Sequence, residues 1–181
     1  VYIISPTPFH YEQAVKVIER GYALYLEKPL TLEYETSDAL KKKIHDKGII
    51  HCIGLNWRYR HLVQLIRNKI REGFKPALLT AHWFWFTPTV SWLRNKQKCG
   101  GQVFDQLVHI IDLYRYLAGE VESVSALYAE GTSDEYDDFE NWDVQTLQFR
   151  FENGAFGNIN ASYKLNVPMD ERVGFNFISD N

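Results

Sequence analysis

The sequence predicts an α/β unit followed by an α+β unit. A partial doubly wound parallel sheet occupies residues 1–55, and a second domain over residues 56–181 is built on an open mixed or antiparallel sheet. Three observations carry this. Short apolar runs alternate with amphipathic helical stretches as β-α-β-α-β through the first 55 residues, on connections that suit parallel strands with right-handed crossovers. After Asn56, one or two helices give way to runs of strands. Late in the chain, Glu152-Asn153-Gly154 separates two such runs as a hairpin turn does.

Residues 1–4 form a short apolar strand ended by Ser5-Pro6-Thr7-Pro8. Thr7 is placed to cap a helix with Pro8 at its first position; Ala14, Val15, Val17 and Ile18 are its apolar positions and Gly21 its stop. Residues 22–26 make a second strand, closed by Pro29. Thr31 is placed to cap a helix reaching about residue 47, and residues 49–55 form the third strand. A helix over 61–72 and a long aromatic strand over 77–86 open the second domain. A loop bearing proline and tryptophan then leads to GGQVFDQLVHIIDLYRYLAG, residues 100–119, which reads as one helix. Strands at 123–130, 144–151 and 155–162 follow, with an acidic loop at 133–143, and VGFNFISDN reads as a final strand.

The chain has 181 residues, 45% of them hydrophobic, enough to bury a sizeable core. Its net charge of −3, from 20 basic and 23 acidic residues with no basic run, argues against a nucleic-acid surface. No apolar run approaches the length of a membrane span and no signal-peptide pattern is present. Cys52 and Cys99 make no disulfide framework, so a cytoplasmic setting is expected. The chain opens on VYIIS without a methionine and closes on a strand, so both ends are expected to continue into something longer.

Two stretches carry most of the chemistry. Glu27-Lys28-Pro29 ends a predicted parallel strand, where ligands of open α/β sheets bind, and a cis Lys28-Pro29 bond would aim the ammonium group sharply. A strand-ending turn with a solvated lysine would read the same locally. In the 100–119 helix, Val103, Leu107, Ile110, Tyr114 and Leu117, widened by Phe104 and Ile111, form a broad apolar face. Opposite runs a narrow stripe of Asp105, His109, Asp112 and Tyr116. An i, i+4 Asp-His pair can set a carboxylate beside the imidazole, orienting it and favouring its charged form, as suits proton transfer. Gly100-Gly101 would let a ligand approach the backbone. The alternative is a helix face packed on polar loops, with His109 a satisfied core histidine and Asp112 holding a backbone amide.

Ser5-Pro6-Thr7-Pro8 with His10 follows another parallel strand and could face a cofactor or be a plain turn; Asn56, Arg58 and Tyr59 have the same standing. Asp105 with His109 could supply two metal ligands, but nothing completes a shell, so no metal is expected. The acidic run around 133–140 lacks the spacing of a calcium loop.

Together these residues resemble the Gfo/Idh/MocA family of NAD(P)-dependent oxidoreductases, which act mainly on sugars, inositols and related polyols. Thr7-Pro8 with His10 is similar to the stretch after that family's fourth Rossmann strand, and Glu27-Lys28-Pro29 to its E-K-P signature. Gly100-Gly101, Asp105 and His109 fit its G-G-x-x-x-D-x-x-x-H motif without a gap, Ile111-Asp112-Leu113 continues it, and Asn153-Gly154-Ala155 resembles its N-G-A turn. The resemblance implies a Rossmann-type parallel sheet and a GFO/IDH/MocA-type C-terminal domain, with NAD or NADP as cofactor. It implies that Lys28 holds the substrate hydroxyl, that His109 is the general acid/base, and that Asp105 binds substrate or orients the histidine. Ser5, Pro6, Thr7, His10, Glu27 and Lys28 are the candidate cofactor contacts. Arg58, Tyr59 and Trp92 join Lys28, Asp105 and His109 as substrate contacts. The outer face of the second sheet would form a homodimer or homotetramer, and the aromatic residues 82–86 suit such an interface, or else divide between core and pocket wall.

One departure stands out. None of the eleven glycines forms G-x-G-x-x-G, so the family's pyrophosphate cradle is not among these residues. The expectation is the carboxyl portion of a dehydrogenase for a sugar or polyol, with no membrane or nucleic-acid partner. The alternative is a non-catalytic fragment or regulatory sugar-binding module of the same fold. A metal-dependent isomerase or hydrolase ranks third.

Overall fold

A computed structural model describes residues 1–130 and 136–179. Strands β1 (Tyr2–Ile3), β2 (Leu24–Leu26) and β3 (His51–Ile53) form a three-stranded parallel sheet in the order β1-β2-β3, with Tyr2 opposite Tyr25 and Leu24 opposite His51. Helices α1 (His10–Glu19) and α2 (Tyr34–Asp46) are its crossovers. Ala14 and Ile18, four apart on α1, and Leu40 and Ile44, four apart on α2, close over Ile3, Leu24 and Leu26 to make one apolar core.

The predicted caps do not form. Thr7 is buried in a 3-10 turn, Thr7–Phe9, with Pro8 inside it, and α1 starts only at His10. Proline's fixed φ and missing N–H suit that tighter turn. Thr31 lies ahead of its helix, where its hydroxyl donates to the Glu33 carbonyl at 2.9 Å and accepts from Thr36 at 2.9 Å; Glu33 occupies the cap position without a side-chain bond. The second and third strands are also shorter than predicted, because they pair only over Leu24–Leu26 and His51–Ile53.

The second sheet has five strands: β4 (Pro76–Phe84), β5 (Val121–Glu130), β6 (Trp142–Phe151), β7 (Phe156–Ser162) and β8 (Val173–Ser179), in the order β5-β6-β7-β4-β8. It is mixed: β4 and β7 run parallel and every other pair is antiparallel. Alternation decides its faces. Leu79 and Ala81 of β4, Leu147, Phe149 and Phe151 of β6, and Ile159 and Ala161 of β7 point into the core. That face is covered by α3 (His61–Arg71) and α5 (Val108–Ala118). A short helix α4 (Lys96–Cys99), capped by the Asn95 side chain, precedes α5. Of the predicted acidic loop, residues 133–135 lie outside the described residues; Asp138 pairs with Arg94 at 2.7 Å.

The 100–119 segment departs from a uniform helix. Residues Val103–Leu107 form a π-helical turn leading into α5. The widened turn breaks the 100° spacing, so Phe104, predicted on the buried face, is 37% exposed, while His109 and Asp112 are buried. Gly100 and Gly101 both have left-handed backbone, with φ of +75° and +76°. A Cβ at Gly100 would lie 2.7 Å from the Phe104 ring, and one at Gly101 would lie 2.8 Å from the Trp142 ring. Packing and backbone conformation each require glycine at these two positions.

Tyr114 anchors α5 to the sheet. It is fully buried, donates to the Asn158 carbonyl at 2.7 Å, and meets Phe149, Phe151 and Phe175 with ring centroids 5.7, 6.1 and 5.8 Å away. Tyr114→Phe should cost about 1 kcal/mol for the lost bond and unpaired carbonyl, whereas Tyr114→Ala should cost about 3–5 kcal/mol by opening a cavity. Urea unfolding of the two variants measures the difference.

Candidate active site

The site is built at the carboxyl ends of the parallel strands. Glu27, just after β2, is fixed by three neighbours: the Tyr25 hydroxyl donates to one carboxylate oxygen at 3.1 Å, the Lys28 backbone N–H donates to the other at 3.1 Å, and the carboxylate rests on Gly54. A Cβ at Gly54 would come within 2.7 Å of it. The Lys28-Pro29 bond is cis. His10 is fully buried, its Nδ1 2.8 Å from the Pro29 carbonyl and its Nε2 2.8 Å from that of Ser5. The imidazole thus ties the turn after β1 to the turn after β2. Ser5 itself donates to Gln13 at 2.7 Å, Thr7 is buried, and Pro6 is exposed.

Lys28 crosses from this sheet to the helix of the other. Its Nζ donates to the Asp105 backbone carbonyl and, at 3.1 Å, to the Asp105 carboxylate, with both side chains about one-fifth exposed. Asp105 sits inside the π turn, four residues before His109. The expectation that Asp105 orients His109 and favours its charged form is overturned. The carboxylate pairs with Lys28, and the widened turn displaces it from the i, i+4 stacking that a regular helix would provide.

His109 is instead held among rings. The Trp57 indole lies parallel to the imidazole, with centroids 5.2 Å apart and planes 8° apart, and Trp83 of β4 is stacked at 6.5 Å. The Nδ1 atom is sealed from solvent without a hydrogen-bond partner. Burial, and after it the nearby Lys28 ammonium, lowers the His109 pKa to about 4, with Glu27 and Asp112 opposing and Arg60 assisting. The ring is therefore neutral near pH 7 and able to accept a proton.

The rest of the polar stripe is structural. Asp112, 7% exposed, accepts from Arg58 Nε at 2.6 Å and from a second guanidinium nitrogen. Tyr116 lies under the guanidinium groups of Arg58 at 5.0 Å and Arg67 at 4.8 Å. Arg58, expected at the substrate, thus has its fork engaged by Asp112, and Asp112 takes an arginine rather than a backbone amide. Tyr59 is 74% exposed, and Trp92 lies in a 3-10 turn, Ser91–Arg94. Neither joins the contacts around Lys28 and His109.

Trp57 and Tyr163, near these groups, go unread in the sequence, whereas Trp83 belongs to the aromatic run 82–86, expected at a subunit interface or divided between core and pocket wall. Trp57 and Trp83 wall the imidazole. Tyr163, fully buried, faces Asp105 with its hydroxyl, and burial first and the Asp105 charge next push its pKa well up, keeping it protonated. A tryptophan in a turn after a parallel strand, and one in the inward register of an aromatic strand, were the available signals. Among the described residues, no group of three or more His, Cys, Asp or Glu side chains could hold a metal ion, and no helix is long and apolar enough to cross a membrane.

Comparison with known families matches residues 63–176 to the GFO/IDH/MocA C-terminal domain, and residues 1–55 to the oxidoreductase family with an NAD-binding Rossmann fold. The chain belongs to the GFO/IDH/MocA family. Levoglucosan dehydrogenase of Pseudarthrobacter phenanthrenivorans is 32% identical over 133 residues, covering 69% of this chain and 34% of that enzyme. A solved structure of levoglucosan dehydrogenase with NADH and levoglucosan matches 99% of this chain and 51% of its own, with a TM-score of 0.87 at 26% identity. Scyllo-inositol 2-dehydrogenase (NAD(+)) of Bacillus subtilis is 29% identical over 170 residues, covering 90% of this chain and 48% of that enzyme. The 2,7-anhydro-N-acetylneuraminate hydratase of Mediterraneibacter gnavus is 27% identical over 124 residues, covering 66% and 33%. The chain spans about a third to a half of the length of these curated relatives.

The buried imidazole of this GFO/IDH/MocA chain makes stability depend on acidity. Above pH 6.5, His109 is neutral in both folded and unfolded states and contributes nothing. As pH falls through 6.5 toward 4 the unfolded chain gains a proton that the folded chain resists. At pH 4.5 this removes about 2–3 kcal/mol. Urea unfolding at pH 7 and 4.5 should show a smaller loss for His109→Gln than for the unaltered protein; equal losses would contradict the assignment.

Proposed function

We propose that this chain carries the substrate-facing portion of an NAD(P)-dependent oxidoreductase that oxidises a CH–OH group of a sugar, inositol or related polyol. The observation that carries it is a neutral, buried His109 with an unpartnered Nδ1, beside the Lys28 ammonium. A cationic donor close to a neutral acceptor suits an alcohol losing its proton. The relatives support the substrate class, since levoglucosan and scyllo-inositol are cyclic and hydroxyl-rich.

The residues present fit the nicotinamide end of a dinucleotide. Glu27 and Lys28 stand at the strand ends where such a ligand lies, and the orphaned Nδ1 leaves polar capacity unfilled. A bound nicotinamide would supply the hydride acceptor. Lys28 has three N–H donors; Asp105 takes two, and the third is left for the substrate hydroxyl. Its positive charge stabilises the oxyanion as the O–H bond weakens. His109 accepts the hydroxyl proton. Asp105 holds the ammonium in place rather than taking the proton itself. The proposed division into a cofactor unit over 1–55 and a substrate unit over 56–181 puts Lys28 on the first and His109 on the second.

The outer face of the second sheet is the proposed subunit interface. It exposes Leu127 (73%), Phe156 (52%) and Val144 (42%), apolar groups that a like surface would cover. Leu127→Asp should shift the complete gene product from dimer or tetramer to monomer in sedimentation velocity; an unchanged assembly would exclude this face.

Activity is tested on the complete gene product with NAD(+) or NADP(+) and a panel of inositols and anhydrosugars. His109→Ala should lower kcat about 100-fold or more while leaving dinucleotide affinity nearly unchanged. Lys28→Ala should raise KM and lower kcat together. Normal turnover in His109→Ala would remove the histidine from this role, and failure of the unaltered protein to bind dinucleotide would favour a non-catalytic sugar-binding module.

A further inference from the structure

His109 lacks the orienting hydrogen bond that catalytic histidines commonly receive at the second ring nitrogen. Nδ1 is sealed and unpartnered, and Asp105 is engaged elsewhere. An imidazole without such a bond has a broad χ2 well and turns freely. Something else must fix its plane.

Two indoles lie nearly parallel to the ring, and Trp57 is the nearer, Trp83 standing at 6.5 Å with 18° between planes. Trp57 stacks on the ring at 5.2 Å with only 8° between planes. Trp57 is itself held: its indole stacks on Trp83 at 5.2 Å and 15°, and the Arg60 guanidinium lies 3.9 Å from its ring centroid. The 3-10 turn that bears it, Asn56–Tyr59, is fastened to α5 by the next residue, Arg58, through the 2.6 Å bond to Asp112. Asp112 lies three residues beyond His109, on the same helix face. The ion pair at 112 therefore fixes the turn, and the turn sets the indole over 109.

We propose that Trp57, held by Arg60 and Trp83 and fastened by the Arg58–Asp112 pair, is the positioning residue of His109, fixing the ring plane by stacking in place of a protein hydrogen bond at Nδ1. The inference rests on His109 being the proton acceptor, but its first test does not. Stacking also excludes water from one ring face, which accords with burial as the main cause of the low His109 pKa. The charged groups around the ring are Lys28 and Glu27 from the strand end, Arg60 from the Trp57 turn and Asp112 from α5, with Asp105 beyond Lys28.

The test follows the His109 ring by NMR in the complete gene product with 13C-labelled histidines, the signal being assigned through His109→Gln. Trp57→Leu should raise the titration midpoint from about 4 toward 6.5. It should lower kcat on a polyol by about 10- to 100-fold, as misplacement does, with KM changed less than about threefold. Trp57→Phe keeps a stacking plane and should retain a low midpoint and most of kcat. Arg60→Gln should raise the midpoint less than Trp57→Leu. Trp57→Met, similar in bulk without a plane, replaces the leucine variant if that one does not fold, with the same expectation. An unchanged midpoint in folded Trp57→Leu or Trp57→Met, or a loss in Trp57→Phe as large as theirs, would overturn the proposal. Absence of polyol turnover by the unaltered protein would count against the oxidoreductase assignment alone, because the ring titration is read without substrate.

Discussion

The contact from Lys28 to Asp105 joins the two sheets at the point where the chemistry is proposed. Seventy-seven positions separate the partners, and each comes from an element that a separate core holds in place. Both are about one-fifth exposed, so the pair adds little net stability once desolvation is counted. Its consequence is placement. With the ammonium fixed on Asp105, the strand-end turn containing Glu27 and the helix containing His109 face the same space, and every other feature of the site is arranged around that junction.

Charge is distributed so that one group stays uncharged. Asp105 is matched by Lys28 and Asp112 by Arg58, while Glu27 is satisfied by a phenol and a backbone N–H. The imidazole, buried among indoles and close to an ammonium, has no carboxylate bonded to it and remains neutral. A neutral base beside a fixed cation matches the removal of a proton from an alcohol, since the cation stabilises the oxyanion while the base takes the proton. A carboxylate paired with the histidine, as a regular helix would have offered, would have raised its pKa and favoured the charged ring.

Much of this was legible in the sequence, and the parts that were not have a common cause. The β-α-β-α-β alternation and the hairpin around Asn153 depend on local pattern, and both sheets follow it. Lys28 and His109 could be singled out because a lysine at a strand end and a polar stripe on an apolar helix are local anomalies. The pairing of Asp105 with Lys28 is not legible there, because a 100° wheel assumes a regular helix and the π turn at 103–107 is invisible to periodicity. Thr7 and Thr31 were placed as caps on residue type alone, although proline and a polar turn set those entries differently. Trp57 is not legible in the sequence because His109 and Trp83 lie on two distant segments that only the tertiary fold brings to it.

The most direct test is a crystal structure of the complete gene product with dinucleotide and a cyclic polyol. The account predicts that Lys28 Nζ and a ring nitrogen of His109 both lie within about 3.2 Å of one and the same substrate hydroxyl. A polyol that touches one of them while the other stands beyond about 6 Å, too far even for a single bridging water, would contradict it.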